Sequence, residues 1–261
     1  MPRGPRRGDS VLMTTHDHPA RPEPETRAAV GQITLPGQAA TADGPLDLTM
    51  MFVMHHAFRR DLGALAAASA ATPVGARDTW RALARRWRTF SEVLHHHHHG
   101  EDEGYWPVLL DRVPAADRAT LAAMEAEHAV IDPLLSRCEE GFRAMVAGGT
   151  LAERARLATA LGAALDHLDA HLAHEEADAL PLLQRHLTRE EDERIEREHF
   201  RGPVSLGLAL RAVPWALHEV PEAERRHVLA VVGPAYAVLW RLTRALFERQ
   251  DRIAMRYLSR P

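Results

Sequence analysis

The sequence predicts an all-α protein, an up-down-up-down four-helix bundle with an additional C-terminal helical pair. Three observations carry this. Between about residues 46 and 187, apolar residues recur at three- and four-residue steps in four long segments, which places them on one face of a helix. Only short connections bearing Pro or Gly separate these segments, at Thr72-Pro73, Pro114 and Gly148-Gly149, so consecutive helices should run antiparallel. The second pair of segments also repeats the first: His97, Glu101 and Pro107 have counterparts 74 positions later at His171, Glu175 and Pro181. A duplicated helix pair leaves that kind of trace.

Composition narrows the class. A chain of 261 residues can hold one good-sized core plus an accessory element. With 46% hydrophobic and 26% charged residues it reads as an ordinary globular protein, and a net charge of −4 gives no electrostatic case for nucleic acid. The single cysteine, Cys138, cannot build a disulfide framework or a Cys-based zinc or iron–sulfur site. Arg6 and Arg7 are not followed by the apolar segment of an export signal, and no run approaches a membrane span. A cytoplasmic protein without membrane contact is expected.

Taken in order, residues 1–45 are rich in Pro, Gly, Arg and Thr without an apolar period, and are expected to be a disordered tail. The bundle should occupy 46–187. Its first helix carries Met51, Met54, His55, Phe58, Leu62 and Leu65 on one face and ends near Ala71. The second runs from about Arg77 through Trp80, Leu83, Trp87 and Phe90 into a five-histidine run, and stops soon after Pro107. Gly100 sits inside it at a cost of about 1 kcal/mol relative to Ala. The third begins near Ala115, presents Leu121, Met124, His128, Ile131, Leu135 and Phe142, and ends at Gly148; Pro133 should kink it near His128. The fourth, from about Leu151, aligns Leu157, Leu161, Leu168, His171 and Glu175 and fades after Pro181. Residues 188–261 form a C-terminal extension, with one helix ending near Leu217 and another from about Pro221 to Leu258. It could cover the bundle or form a dimer surface.

The chemistry lies in the histidines and carboxylates. A His and a Glu four apart share a helix face and can hold one metal ion together. His97 with Glu101 fits, as do His98 with Asp102 and His99 with Glu103; the repeat at His171 and Glu175 selects the first register. One helix upstream of each pair stands a single His, His55 and His128, 73 apart. Inward-facing positions of a bundle converge on its axis, so His55, His97, Glu101, His128, His171 and Glu175 should surround one cavity with near two-fold symmetry. Imidazole and carboxylate without thiolate suit iron or manganese, and carboxylates between two cations suit a dinuclear centre; zinc is the chief competitor. His56, His95, His96, His98 and His99 are expected to be solvated or to donate from outside the metal shell. Asp102 and Glu176, again 74 apart, are open among orienting a ligand, entering the shell and facing water, with water the simplest reading. His167 lies four before His171, opposite Val93 in the first half, and is open between a fifth imidazole ligand and a polar residue at the bundle end.

At these residues, HHHGEDEGYWPVLL and HLAHEEADALPLL, the chain resembles the hemerythrin-like, or HHE cation-binding, family over about 46–187. The resemblance implies two non-haem irons, with manganese or a mixed iron–manganese pair as variants. Glu101 and Glu175 would bridge, and His55, His97, His128 and His171 would be terminal ligands. It also implies a small oxidant as partner: O2, peroxide or nitric oxide. Oxygen-carrying members use five His and two carboxylates, whereas the symmetric set here has four His. That more open site favours activation of O2, as an oxidase or oxygenase acting on a small-molecule substrate or as a peroxide-removing oxidoreductase. The alternative is a non-enzymatic oxygen carrier or an oxygen or iron sensor. Monomer and homodimer both fit.

Overall fold

The computed structural model describes residues 29–202 and 204–258, and these are built almost wholly of helices. The first, α1 (Thr49–Ala71), is followed by α2 (Arg77–Gly100), which continues through a π-helical turn (Glu101–Tyr105) into α3 (Trp106–Leu110). Next come α4 (Arg118–Val146) and α5 (Leu151–His174), the latter continuing through a second π-helical turn (Glu175–Ala179) into α6 (Leu180–His186). Gly148, with φ of 101°, takes the chain out of α4, and Thr150 with Glu153 forms a reciprocal capping box that starts α5. Helix α4 continues through Pro133.

Helix α1 packs on α2 and α5, and α4 packs on α2 and α5, which gives the expected four-helix bundle. One half of its interior is an apolar plug. Trp87 stacks on Phe90 with ring centroids 5.4 Å apart and lies 5.4 Å from Phe142, and all three are buried. The other half holds the histidines and glutamates.

Both π-helical turns begin at the glutamate of a His-x-x-x-Glu pair and end just before a proline. The Trp106 N–H reaches back to the Glu101 carbonyl and the Leu180 N–H to that of Glu175. Pro107 and Pro181 follow, with no N–H to donate and a ring that would strike the preceding turn of an α-helix. The wider turn relieves that clash, and π-bulges of this kind often occur at functional sites.

The additional C-terminal helices are present, but they are more finely divided than a pair. They comprise α7 (Arg189–Ile195), a third π-helical turn (Glu196–Arg201), α8 (Leu206–Ala216), α9 (Glu222–Val232) and α10 (Pro234–Ala254). The helix expected from Pro221 to Leu258 breaks at Gly233, where φ is 92°, ahead of Pro234; proline disfavours the helical conformation in the residue before it. These elements cover the α1–α2 side of the bundle: α8 contacts α1 and α2, and α10 contacts α2. A buried network pins them. Arg86 of α2 donates through Nε to Asp61 of α1 at 2.9 Å and through Nη1 to Asp251 of α10 at 3.0 Å. Arg60 adds bonds to the carbonyl oxygens of Trp215, at 2.8 Å, and His218.

Of the expected disordered tail, residues 1–28 lie outside the described residues. Residues 29–45 differ from the expectation: they form a strap with Ile33, Leu35 and Ala42 buried. It closes on itself where the Val30 N–H donates to the Gly44 carbonyl at 2.8 Å. Its backbone is satisfied by side chains rather than by a helix or sheet ladder. Gln184 of α6 donates to the carbonyl oxygens of Ala42 and Leu46, at 2.9 and 3.0 Å, and accepts from the Leu46 N–H at 2.8 Å. Glycine suits position 44, because a Cβ there would come within 2.8 Å of Gln184 Cβ. Such a segment has no period for sequence reasoning to detect. No helix among the described residues is long and apolar enough to cross a membrane.

Candidate metal centre

Two adjoining groups of ligand atoms occupy the polar half of the bundle. His55, His97, Glu101 and Glu175 form one and His98, His128 and His171 the other; within each, one ligand atom per residue lies within 4.8 Å of the rest. All seven residues are buried. The structure thus brings together the six residues of the symmetric expectation. It does not bring His167, which is exposed and belongs to neither group. The group of three includes His98. Its ring stacks on His128 with centroids 3.9 Å apart and planes at 10°, and neither ring nitrogen has a hydrogen-bond partner. The expectation that His98 is solvated is therefore corrected: its ring is buried beside His128 and His171. Its counterpart 74 positions on is Leu172, so the repeat offered no support for it.

Carboxylates outside the groups fix how the imidazoles point. His55 Nδ1 lies 2.9 Å from Glu176, His128 Nδ1 lies 2.9 Å from Asp102, and His171 Nδ1 lies 2.9 Å from Glu127. A carboxylate that accepts the Nδ1 proton leaves Nε2 as a lone pair facing inward, the usual arrangement behind a metal-bound histidine. Asp102 and Glu176 therefore orient imidazoles of the two groups; Glu176 is fully buried, and the Asp102 side chain is 32% exposed. Glu176 is in turn held by Arg59, at 2.6 Å, and by the Ala39 N–H of the strap, also at 2.6 Å. Glu127, which also accepts from His174 Nδ1 at 2.8 Å, has Met54 as its counterpart 73 positions earlier and escaped the sequence reading.

The lone pairs so arranged face one another. His128 Nε2 is 3.1 Å from His171 Nε2, His97 Nε2 is 2.9 Å from Glu101 Oε1, and His55 Nε2 is 3.2 Å from Glu175 Oε2. Both oxygens of Glu101 and of Glu175, and Nε2 of His55 and His97, are buried without hydrogen-bond partners. Leaving a buried polar group unpaired costs about 1–3 kcal/mol, and more for a charged one. A cluster of such atoms is stable when cations occupy the space between them.

Protonation follows the same logic. Burial lowers the affinity of His55 for a proton, but Glu175 and Glu176 outweigh it and raise the pKa to about 9, so without a cation a proton takes the place of the Nε2 lone pair and offsets the negative charge. Burial first, then His55, lowers His97 to about 3. His98 lies well below its ordinary value through burial and then the His128 and His171 charges. Both stay neutral, the form a metal requires. Glu101 is raised by burial and then by Glu175, while burial of Glu175 is overcome by His55, followed by His171 and His97, which hold it at about 2. Two carboxylates this close do not both ionise without a cation.

The C-terminal elements seal one side. Phe200 lies 6.2 Å, centroid to centroid, from His97 and 5.4 Å from Tyr105, and its carbonyl accepts from His96 Nε2 at 2.7 Å. The Tyr105 hydroxyl donates to Asp192 at 2.8 Å. Beside His97 opens an apolar cavity of about 180 Å³ between α1, α2, the third π-helical turn, α8 and α9.

Residues 47–183 match the family described as hemerythrin HHE cation binding domain. Comparisons with curated proteins and with solved structures give no match.

Proposed function

The chain belongs to the hemerythrin HHE cation-binding family, and on that premise we propose that it holds two iron ions and reacts with O2 or a related small oxidant. The carrying observation is the pair of adjoining ligand groups whose buried lone pairs converge without protein partners. His55 and His97 would serve one ion; His98, His128 and His171 would serve the other; Glu101 and Glu175, lying between, would be shared. All-nitrogen and oxygen donors suit iron, and manganese in one or both places is the same chemistry of binding. Two ferrous ions so held would supply two electrons to O2. The protein's part is to keep Nε2 of His55, His128 and His171 inward through Glu176, Asp102 and Glu127, and to keep bulk water out with Phe200 and the helices behind it.

The cavity beside His97 supports an oxidase or oxygenase over peroxide removal, which needs no space for an organic molecule. His98 favours a second reading. With it the set reaches five imidazoles and two carboxylates, the stoichiometry of the oxygen-carrying members, so reversible oxygen binding is the alternative. Optical spectra of the anaerobically reduced protein after mixing with O2 separate the two. A transient band that decays to a stable oxidised spectrum is expected. A lasting band that disappears when oxygen is removed would establish the carrier instead.

A further inference from the structure

We propose that the cavity beside His97 binds one uncharged, mostly hydrocarbon small molecule of single-ring size. That this molecule is what the oxidant meets rests on the dinuclear-centre reading above; that it binds does not.

The walls set its chemistry. Met50, Met51 and Met54 of α1 face Leu208, Ala212 and Val213 of α8 across the space, with α9 contributing further aliphatic side chains. Methionine thioethers and aliphatic groups offer dispersion contacts but no hydrogen bonds for a polar body. The charged and imidazole groups of the lining are His96, His97, Glu196 and Arg201. The Glu196 carboxylate accepts from Arg201 Nε at 3.2 Å, so acid and base answer one another and neither sign of ligand charge is called for.

Volume sets the size. An apolar cavity of about 150 Å³ takes up benzene and stays dry when empty. The cavity here, of about 180 Å³, has space for one ring with one or two small substituents, or for an aliphatic chain of similar bulk. Position supplies the link to the centre: His97 is both a wall of the cavity and a member of the ligand group with Glu101. Exposed Tyr236 of α10 also lines the space and marks the side from which a ligand enters.

The test uses the protein as purified, with toluene as the neutral probe and benzoate as its charged counterpart. Binding is read by calorimetry and by the 13C-methyl signals of labelled methionine, recorded on protein loaded with zinc, which is diamagnetic. Saturable toluene binding should shift the signals of Met50, Met51 and Met54 and leave those of Met124 and Met145, buried elsewhere in the core, in place. Ala212→Phe fills the space and should weaken binding at least about tenfold, about 1.4 kcal/mol, with metal content and melting temperature retained. Val232→Phe narrows the same cavity from α9 and serves if the first variant folds poorly. Lack of saturable toluene binding, shifts confined to Met124 and Met145, or benzoate bound as tightly as toluene would overturn the proposal. Toluene binding with these shifts in a chain that takes up no iron would uphold the cavity site and remove the dinuclear reading.

Discussion

Gly100→Ala tests how closely the C-terminal elements press on the metal-binding half of the bundle. In an isolated helix the change would stabilise by about 1 kcal/mol, because glycine is the weaker helix former. In this chain a Cβ at position 100 would stand 2.6 Å from Phe200 Cε1 and 2.7 Å from its Cζ, well inside van der Waals contact. Phe200 is packed against Tyr105 and near His97, so its ring cannot swing away freely. Overpacking of this kind costs about 1–3 kcal/mol, which outweighs the helix gain and leaves a net loss of up to about 2 kcal/mol. Urea denaturation of the wild type, Gly100→Ala, Phe200→Ala and the double variant measures both effects. In the Phe200→Ala background the clash is gone and Gly100→Ala should change sign, stabilising by up to about 1 kcal/mol. Equal stabilisation in both backgrounds would refute the close approach.

Other consequences can be measured independently. Glu176→Gln removes the anion that Arg59 and His55 share and should weaken metal binding about 10–100-fold, read by competition with a chelator; unchanged affinity would remove Glu176 from the orienting role. Asp61→Ala leaves the Arg86 guanidinium buried with one carboxylate fewer and should cost about 3–5 kcal/mol in denaturant unfolding; a loss below about 1 kcal/mol would mean that the buried ion network contributes little to stability. Asp192 is raised from 3.8 to about 7, chiefly by burial, against the opposing hydrogen bond from Tyr105. Its folded state binds the proton more tightly than the unfolded chain does, so its contribution is full below about pH 4 and is lost as pH rises through 7. Asp192→Asn should therefore fall less in stability than the wild type between pH 4 and 7, and parallel profiles would contradict that assignment.

Much of this was legible because a duplication writes the same physics twice. The register of His97 with Glu101, ambiguous within a five-histidine run, was set by its copy at His171 and Glu175, and the structure gathers those residues with His55 and His128. What the copy lacks was lost. His98 maps to Leu172 and Glu127 to Met54, so neither had a partner to argue for it, and His167 drew attention only because it fits the four-residue step. The strap of residues 29–45 escaped because its order comes from Gln184 and Glu176, more than a hundred residues away, rather than from local pattern. The third π-helical turn and the break at Gly233 belong to a region outside the repeat, where apolar spacing alone cannot say how a helical run is divided. Pro107 and Pro181 were visible in the sequence, and they account for π-helical turns that hydrophobic period does not report.

The most direct test is iron stoichiometry. Anaerobic reconstitution with Fe(II), followed by removal of loose metal and elemental analysis, should give two irons per chain in the wild type. The His55→Ala, Glu101→Ala double variant, which strips both an imidazole and a shared carboxylate from the first group, should retain well under two. No bound iron in the wild type, or the same iron content in the double variant, would contradict a dinuclear centre at these residues.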